Sequence, residues 1–134
     1  TLNGKFPASN CVDGNLNNFC HSKEDVSPSL TLELDTAVQI AYVLVYNRRD
    51  CCQSRLGSYK VFYRVLSTDE WAECASETLT AIGPLRSECP HLARYVKVQL
   101  QGARRYLNLA EVEIYSFPPP PSPSPSMPPP PMPP

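Results

Sequence analysis

The sequence predicts an all-β fold, an antiparallel β-sandwich or jelly roll, followed by an extended proline-rich tail. Three observations predict it. Several short segments alternate apolar and polar residues with period two, no segment holds a helical period over three turns, and the composition changes abruptly at Pro118. Alternation buries one face of each strand and wets the other, so such strands need a second layer to close a core.

The first thirty residues are polar and rich in turn formers, with Asn3-Gly4, Asp13-Gly14-Asn15 and Ser27-Pro28 as punctuation. Leu30 to Asp35 then alternates as a half-buried strand should. Ile40 to Tyr46 is almost continuously apolar, β-branched and aromatic, the pattern of a strand covered on both faces. Alternation returns at Tyr59–Val65, Tyr95–Leu100 and Val112–Tyr115, with Gly57, Ser67-Thr68-Asp69 and Gly83-Pro84 marking turns between them. Residues 118–134 are a different material, holding 12 of the 16 prolines and otherwise only Ser and Met. Proline fixes φ and removes donors, so this tail is expected to be a polyproline II rod that spans on the order of 50 Å at about 3.1 Å per residue. The organisation read from the chain is therefore one sandwich domain over 1–117 and a stalk over 118–134.

A formal net charge of −1 gives no bulk attraction to nucleic acid or to an anionic membrane, and no apolar run is long enough for membrane insertion as a spanning helix. Six cysteines in so short a domain indicate an oxidising compartment, so a secreted protein is expected. The start at Thr1 and the stop within the proline run read as a processed piece of a longer parent. No nucleophile with its base, paired carboxylates or open metal site stands at a persuasive spacing, so an enzyme is not expected.

The informative segment is Asn47-Arg48-Arg49-Asp50-Cys51-Cys52-Gln53-Ser54-Arg55, directly after an apolar strand. Arg48 and Arg55 offer several directed donors each, which suits hydroxyl and ring oxygens, and Asp50 is placed to hold one guanidinium. Solvated surface ion pairs explain the same charges equally well. Cys51 and Cys52 are adjacent, so their Cα atoms lie about 3.8 Å apart, below the usual span of a disulfide. Either they close a tight ring on each other or they bridge to distant partners, and six cysteines allow 15 pairings. Asn10, Asp13, Asn15 and Asn18 set oxygens at short spacing in a turn, as a hard cation or a simple turn requires.

Residues 1–117 resemble the F-type lectins, the fucose-binding branch of the discoidin-like domains, whose fold is the galactose-binding-like sandwich. The resemblance rests on His21, a gap of 26 residues, Arg48-Arg49-Asp50, four residues, and Arg55, with the Cys51-Cys52 pair inside the motif. Ala8 to Asn15, Leu30 to Asp35, Arg94 to Val98 and Leu107 to Tyr115 resemble the family's N-terminal segment, first long strand and closing strands. The resemblance implies that His21, Arg48 and Arg55 donate to the axial hydroxyl and ring oxygen of fucose. Asp50 would brace the site, and a Cys51–Cys52 disulfide would pack on the sugar's apolar face. It implies a structural Ca²⁺ held by backbone and side-chain oxygens of the segment Asn10, Asp13, Asn15, Asn18, Ala110 and Glu111. The family commonly has Ser at the place of Asn18 and Cys at that of Ala110, so its disulfide to the closing strand is missing here. A local Cys11–Cys20 bridge is the implied substitute, and Cys74 and Cys89 match a further pair that the family bridges. His91 matches nothing and reads as an ordinary surface residue.

The tail's Ser-Pro-Ser-Pro run resembles the hydroxyproline-rich glycoproteins of plant and green-algal walls. That implies a cell surface, wall or matrix setting, with hydroxylation or O-glycosylation among Pro118, Pro119, Pro120, Pro121, Ser122, Pro123, Ser124, Pro125 and Ser126. The expected partners are fucosylated or related glycans and, through the tail, other chains of an extracellular filament or matrix. An adhesion module whose sugar site is vestigial, or engaged with its own assembly's glycans, is the second reading. A phospholipid-binding reading finds only Leu16 and Phe19 as apolar loop residues.

Overall fold

The computed structural model describes residues 8–22 and 24–117, so expectations for the proline-rich tail lie outside the described residues. Seven strands form two antiparallel layers: β1 (Cys20–His21), β2 (Ser29–Asn47), β3 (Gly57–Arg64), β4 (Ala72–Leu79), β5 (Leu85–Glu88), β6 (Leu92–Leu100) and β7 (Asn108–Ser116). One layer runs β1-β7-β2-β5, the other β2-β6-β3-β4. Strand β2 belongs to both. Its first part pairs with β6 from Ser29 to Glu33, the register shifts between Glu33 and Val38, and its second part pairs with β7 and β5.

The two strands expected at Leu30–Asp35 and Ile40–Tyr46 are thus one strand of 19 residues. The linking residues Thr36-Ala37 include no glycine or proline to end the ladder, so pairing passes from one layer to the other. The second part is also not covered on both faces. Ile40, Val43 and Val45 are buried, whereas Tyr42, Leu44 and Tyr46 lie half-buried on the outer face. Tyr42 stacks there on Tyr115 with ring centroids 4.8 Å apart, and the Arg86 guanidinium lies 3.7 Å from the Tyr42 centroid. Rings and a cation do the covering that a third layer would have done.

Strands β4 and β5 carry little apolar alternation and were not expected. Ala72–Leu79 forms because β3 offers it an open edge from Gly57 to Tyr63, and Leu85–Glu88 adds to β2 opposite Tyr42–Val45. Residues of both layers meet in one core, including Ile40, Val43, Val45, Tyr59, Val61, Val96, Val98, Leu100, Leu109 and Val112. His91, expected as an ordinary surface residue, is half-buried and stacks on Tyr63 at 4.2 Å with nearly parallel rings. Three disulfides close Cys11–Cys20, Cys51–Cys52 and Cys74–Cys89, with Cα separations of 5.4, 3.8 and 5.2 Å. The adjacent pair does close on itself.

Candidate functional site

The site forms where β2 ends. Asn47, its last residue, is fully buried and fully used: Nδ2 donates to the carbonyls of Gln53 (2.8 Å) and Ala81 (2.9 Å), and Oδ1 accepts from the Arg48 amide (2.8 Å). Gln53 Nε2 donates back to the Arg48 carbonyl at 3.0 Å. These two amide side chains close residues 47–53 into a compact loop before the chain enters the 3₁₀ turn Gln53–Arg55. Cys52 caps that turn at φ 67 and ψ 28, in the left-handed region, a conformation that costs an L-residue about 1–2 kcal/mol. The disulfide to Cys51 therefore sits as a small half-buried knob between Arg48 and Arg55 in the sequence.

The far end of the loop is held from β6's side of the site. Arg105 Nη2 donates to the Leu56 carbonyl at 2.8 Å, and Nη1 donates to that of Gln101 at 2.5 Å. Gly57 takes φ +51, and a Cβ there would lie 2.8 Å from Arg105 Nη2. Any side chain at Gly57 would displace the guanidinium that fixes Leu56, one residue after Arg55.

The structure brings the expected residues together from separate segments. Arg48 forms a forked pair with Asp50, Nε to Oδ1 at 2.5 Å and Nη2 to Oδ2 at 3.0 Å, while its guanidinium stacks on Phe19 at 3.7 Å. The Arg48 side chain is largely covered (15 % exposed) and Asp50 is open at 60 %. The hydrogen bonds from Arg48 hold the Asp50 carboxyl below its ordinary value, so the fork is charged at any working pH. His21, on β1, faces the other arginine: Arg55 Nη1 lies 3.3 Å from His21 Nε2. A guanidinium has no lone pair to offer, so Arg55 donates and Nε2 accepts. Burial first, then the charges of Arg55 and Arg48, push the His21 pKa below its ordinary value and keep the ring neutral near pH 7. Tyr106 lines the same corner, 5.6 Å from the His21 ring and 5.3 Å from the Arg55 guanidinium, with its hydroxyl donating to Glu24 at 2.9 Å. Two guanidinia, one neutral imidazole and two aromatic rings thus come together from separate segments, on and beside the loop that holds the Cys51–Cys52 disulfide. They supply directed donors and apolar surface.

Phe19, Asn47, Gln53, Arg105 and Tyr106 were not read from the sequence as site residues. Only Asn47 carried a signal, a polar residue ending an apolar run.

The turn before His21 presents the other expected cluster. Asp13 Oδ1 accepts from the Asn15 amide (2.9 Å), Asp13 Oδ2 from Asn18 Nδ2 (3.1 Å), and Glu111 Oε2 from the Gly14 amide (2.8 Å). Asn10 Nδ2 donates to Asn18 Oδ1 at 3.3 Å. Ala110 is fully buried beside Glu111 on β7, and Glu111 is only 3 % exposed. Burial, with Asp13 and Glu113 nearby, raises the Glu111 pKa from 4.5 to about 7, whereas hydrogen bonds, first from the Asn15 amide, lower that of Asp13. No three His, Cys, Asp or Glu side chains form a metal-holding cluster among the described residues. The donor set here is instead two carboxylates, Asp13 and Glu111, with the side-chain amide oxygens of Asn15 and Asn18, all hard ligands. A buried carboxylate that resists ionisation is relieved by a cation at its face, so these residues fit Ca²⁺.

Residues 10–98 match the family model of the F5/8 type C group described as NedA-like, galactose-binding domain. Fucolectin-6 of Anguilla japonica is 28 % identical over 121 residues, covering 84 % of this chain and 64 % of the eel protein. This chain thus spans less than two thirds of that relative. A fucose binding module of Streptococcus pneumoniae superposes with a TM-score of 0.75 at 25 % identity, covering 87 % of each chain. A serum fucolectin of the striped bass, Morone saxatilis, superposes with a TM-score of 0.77 at 23 % identity, over 87 % of this chain and 44 % of the bass protein.

Proposed function

The chain belongs to the NedA-like galactose-binding domains of the F5/8 type C family, and from that premise we propose that it is an extracellular lectin module for fucose-type sugars. One observation carries the reading: His21 on β1 meets Arg55, and feels the charges of both Arg55 and Arg48, from the loop after β2 that holds the Cys51–Cys52 disulfide. A sugar needs several directed hydrogen bonds at one end and an apolar surface for its C–H face. Arg55 and Arg48 supply donors, neutral His21 accepts from Arg55 and so orients it, and Tyr106 supplies apolar surface beside them, to which the disulfide of the same loop would add. Asp50 keeps the Arg48 fork from turning away. The names of the eel fucolectin and the pneumococcal fucose binding module support a binding module rather than an enzyme.

Ca²⁺ is a structural cofactor in this reading. Asn10, Asp13, Asn15, Asn18 and Glu111, with the backbone near Ala110, would hold it, and it would supply only charge that fixes the turn leading into His21. The tail, 118–134, is read as a polyproline stalk with hydroxyproline or O-glycans between Pro118 and Ser126, which joins the module to other chains of a matrix. Mass spectrometry of the native protein tests it, and an unmodified tail removes that part.

Calorimetry with L-fucose tests the sugar site. Binding to the full chain is expected, and Arg55→Ala should weaken it at least tenfold at unchanged fold, since a hydrogen bond from a charged donor contributes about 1.5–3 kcal/mol. Unchanged affinity in that variant removes Arg55 from the site. Fucose bound by neither chain, with or without Ca²⁺, favours the adhesion reading.

A further inference from the structure

The outer face of the β2-β6-β3-β4 layer lies away from the sugar loops and has a composition that stability alone does not ask for. The register aligns Glu33, Tyr95 and Arg64 in one row and Thr31, Lys97 and Phe62 in the next. Trp71, one residue before β4, lies across both rows. The Arg64 guanidinium sits 4.1 Å from the Trp71 ring and 5.3 Å from that of Tyr95, and Lys97 Nζ sits 4.6 Å from Trp71 and 5.0 Å from Phe62. Two cations are thus fixed on rings beside each other.

Their neighbours on the same layer are charge-paired and they are not. Lys60 pairs with Glu73 at 2.9 Å and Arg94 with Glu33 at 3.2 Å. Neither Arg64 nor Lys97 has a carboxylate within 4 Å among the described residues. Arg64 Nη1 donates to the Asp69 carbonyl at 3.3 Å, and its buried Nε has no hydrogen-bond partner. Burial and the charge of Arg64 lower the Lys97 pKa, so this pair repels itself and gains from a counter-anion. The surplus of two cations stands on a chain whose net charge is −1, which makes it a local feature and not bulk basicity.

We propose that this face, centred on Arg64 and Lys97, is a second binding surface, for a linear polysaccharide that carries carboxylates. Charge complementarity selects an anion, and the guanidinium fork fits a planar carboxylate. The two cations lie side by side across neighbouring rows of a sheet, so a polymer with repeated charges engages them better than a single uronic acid does. Ring faces already capped by cations cannot stack on bases, which disfavours single-stranded nucleic acid. Independent of the fucose site, such a surface would let one module hold a glycan end and a matrix chain together.

Binding of the full chain to immobilised polygalacturonate, by interferometry in saturating L-fucose, tests it. Retention is expected in fucose, with affinity falling as salt rises and no binding to neutral dextran. Arg64→Gln and Lys97→Gln should each lower affinity at least tenfold, while Lys60→Gln, at an already paired cation, should change it less than twofold. Lys97→Gln keeps the test valid if loss of the stacked Arg64 harms folding, which a thermal melt reports. The proposal is overturned by no binding, by displacement with fucose, by equal loss in Lys60→Gln, or by preference for dextran sulfate or oligothymidylate.

Discussion

The Glu111 carboxyl gives the most demanding test of the cation reading. Its pKa stands at about 7 in the fold against 4.5 ordinarily, because burial and Asp13 oppose its charge. The folded chain therefore holds a proton that the unfolded chain releases, and between those values stability falls as pH rises. Each pH unit in that window is worth about 1.4 kcal/mol, so the whole loss approaches 3 kcal/mol by neutral pH. For a domain of this size that is on the order of 10 °C in melting temperature. Ca²⁺ at the same oxygens needs the carboxylate, so in excess calcium the loss should shrink or reverse. The assay is thermal melting from pH 4.5 to 8 of the native chain and Glu111→Gln, in EDTA and in calcium. Gln keeps an acceptor for the Gly14 amide and does not titrate. His21 titrates in both chains and cancels in the difference. In EDTA the native chain should lose about 3 kcal/mol relative to Glu111→Gln as pH rises, and calcium should remove that difference. The same pH slope in both chains refutes the reasoning.

Two other predictions bear on the loop proposed to hold the sugar. His21 has its pKa lowered by burial and by two arginines, so fucose affinity should be flat above about pH 6.5 and fall only well below it; the unfolded chain binds the proton more tightly there, so stability falls with it. A calorimetric pH series that loses affinity at or above 6.5 would contradict this. Asn47→Ala removes both amide donors, leaves the carbonyls of Gln53 and Ala81 without that partner, and should cost on the order of 3 kcal/mol by urea unfolding. A loss under about 0.5 kcal/mol would show that water replaces the amide.

What the sequence disclosed and what it hid divide along physical lines. Strands β3 and β6 were legible because Tyr59 and Val61, or Val96 and Val98, are buried between less buried neighbours, and one buried face imposes that period; β7 showed the pattern only in part, since residues 108–112 are all buried. Strand β4 was not, because at Ala72–Leu79 an edge strand is defined by the partner it meets more than by its own side chains. The join of the two parts of β2 was hidden for the same reason: a bend without glycine or proline leaves no local mark. At the candidate site, His21, Arg48 and Arg55 were singled out by their resemblance to a family motif, and the structure brings them near one another, yet the motif says nothing of the groups that hold them. Phe19 under Arg48 and Arg105 behind Leu56 act across 29 and about 50 residues of chain, and only folding reveals such pairs.

Those supports also explain why a loop with a left-handed Cys52 persists. The strain is local, but the restraints come from three directions: Asn47 ties the loop to the carbonyl of Ala81, Arg105 ties its exit to Gln101, and Arg48 is clamped between Phe19 and Asp50. Phe19 follows Asn18 and precedes Cys20, so the clamp on Arg48 is carried by the same turn that presents Asp13 and that the Cys11–Cys20 disulfide closes. On the proposed reading, a cation at Glu111 and a sugar at Arg48 would act on opposite ends of one short segment. Ordering that segment at one end would reduce the entropy that the other end must still lose, so the two binding events would be coupled through it without any larger movement of the sandwich.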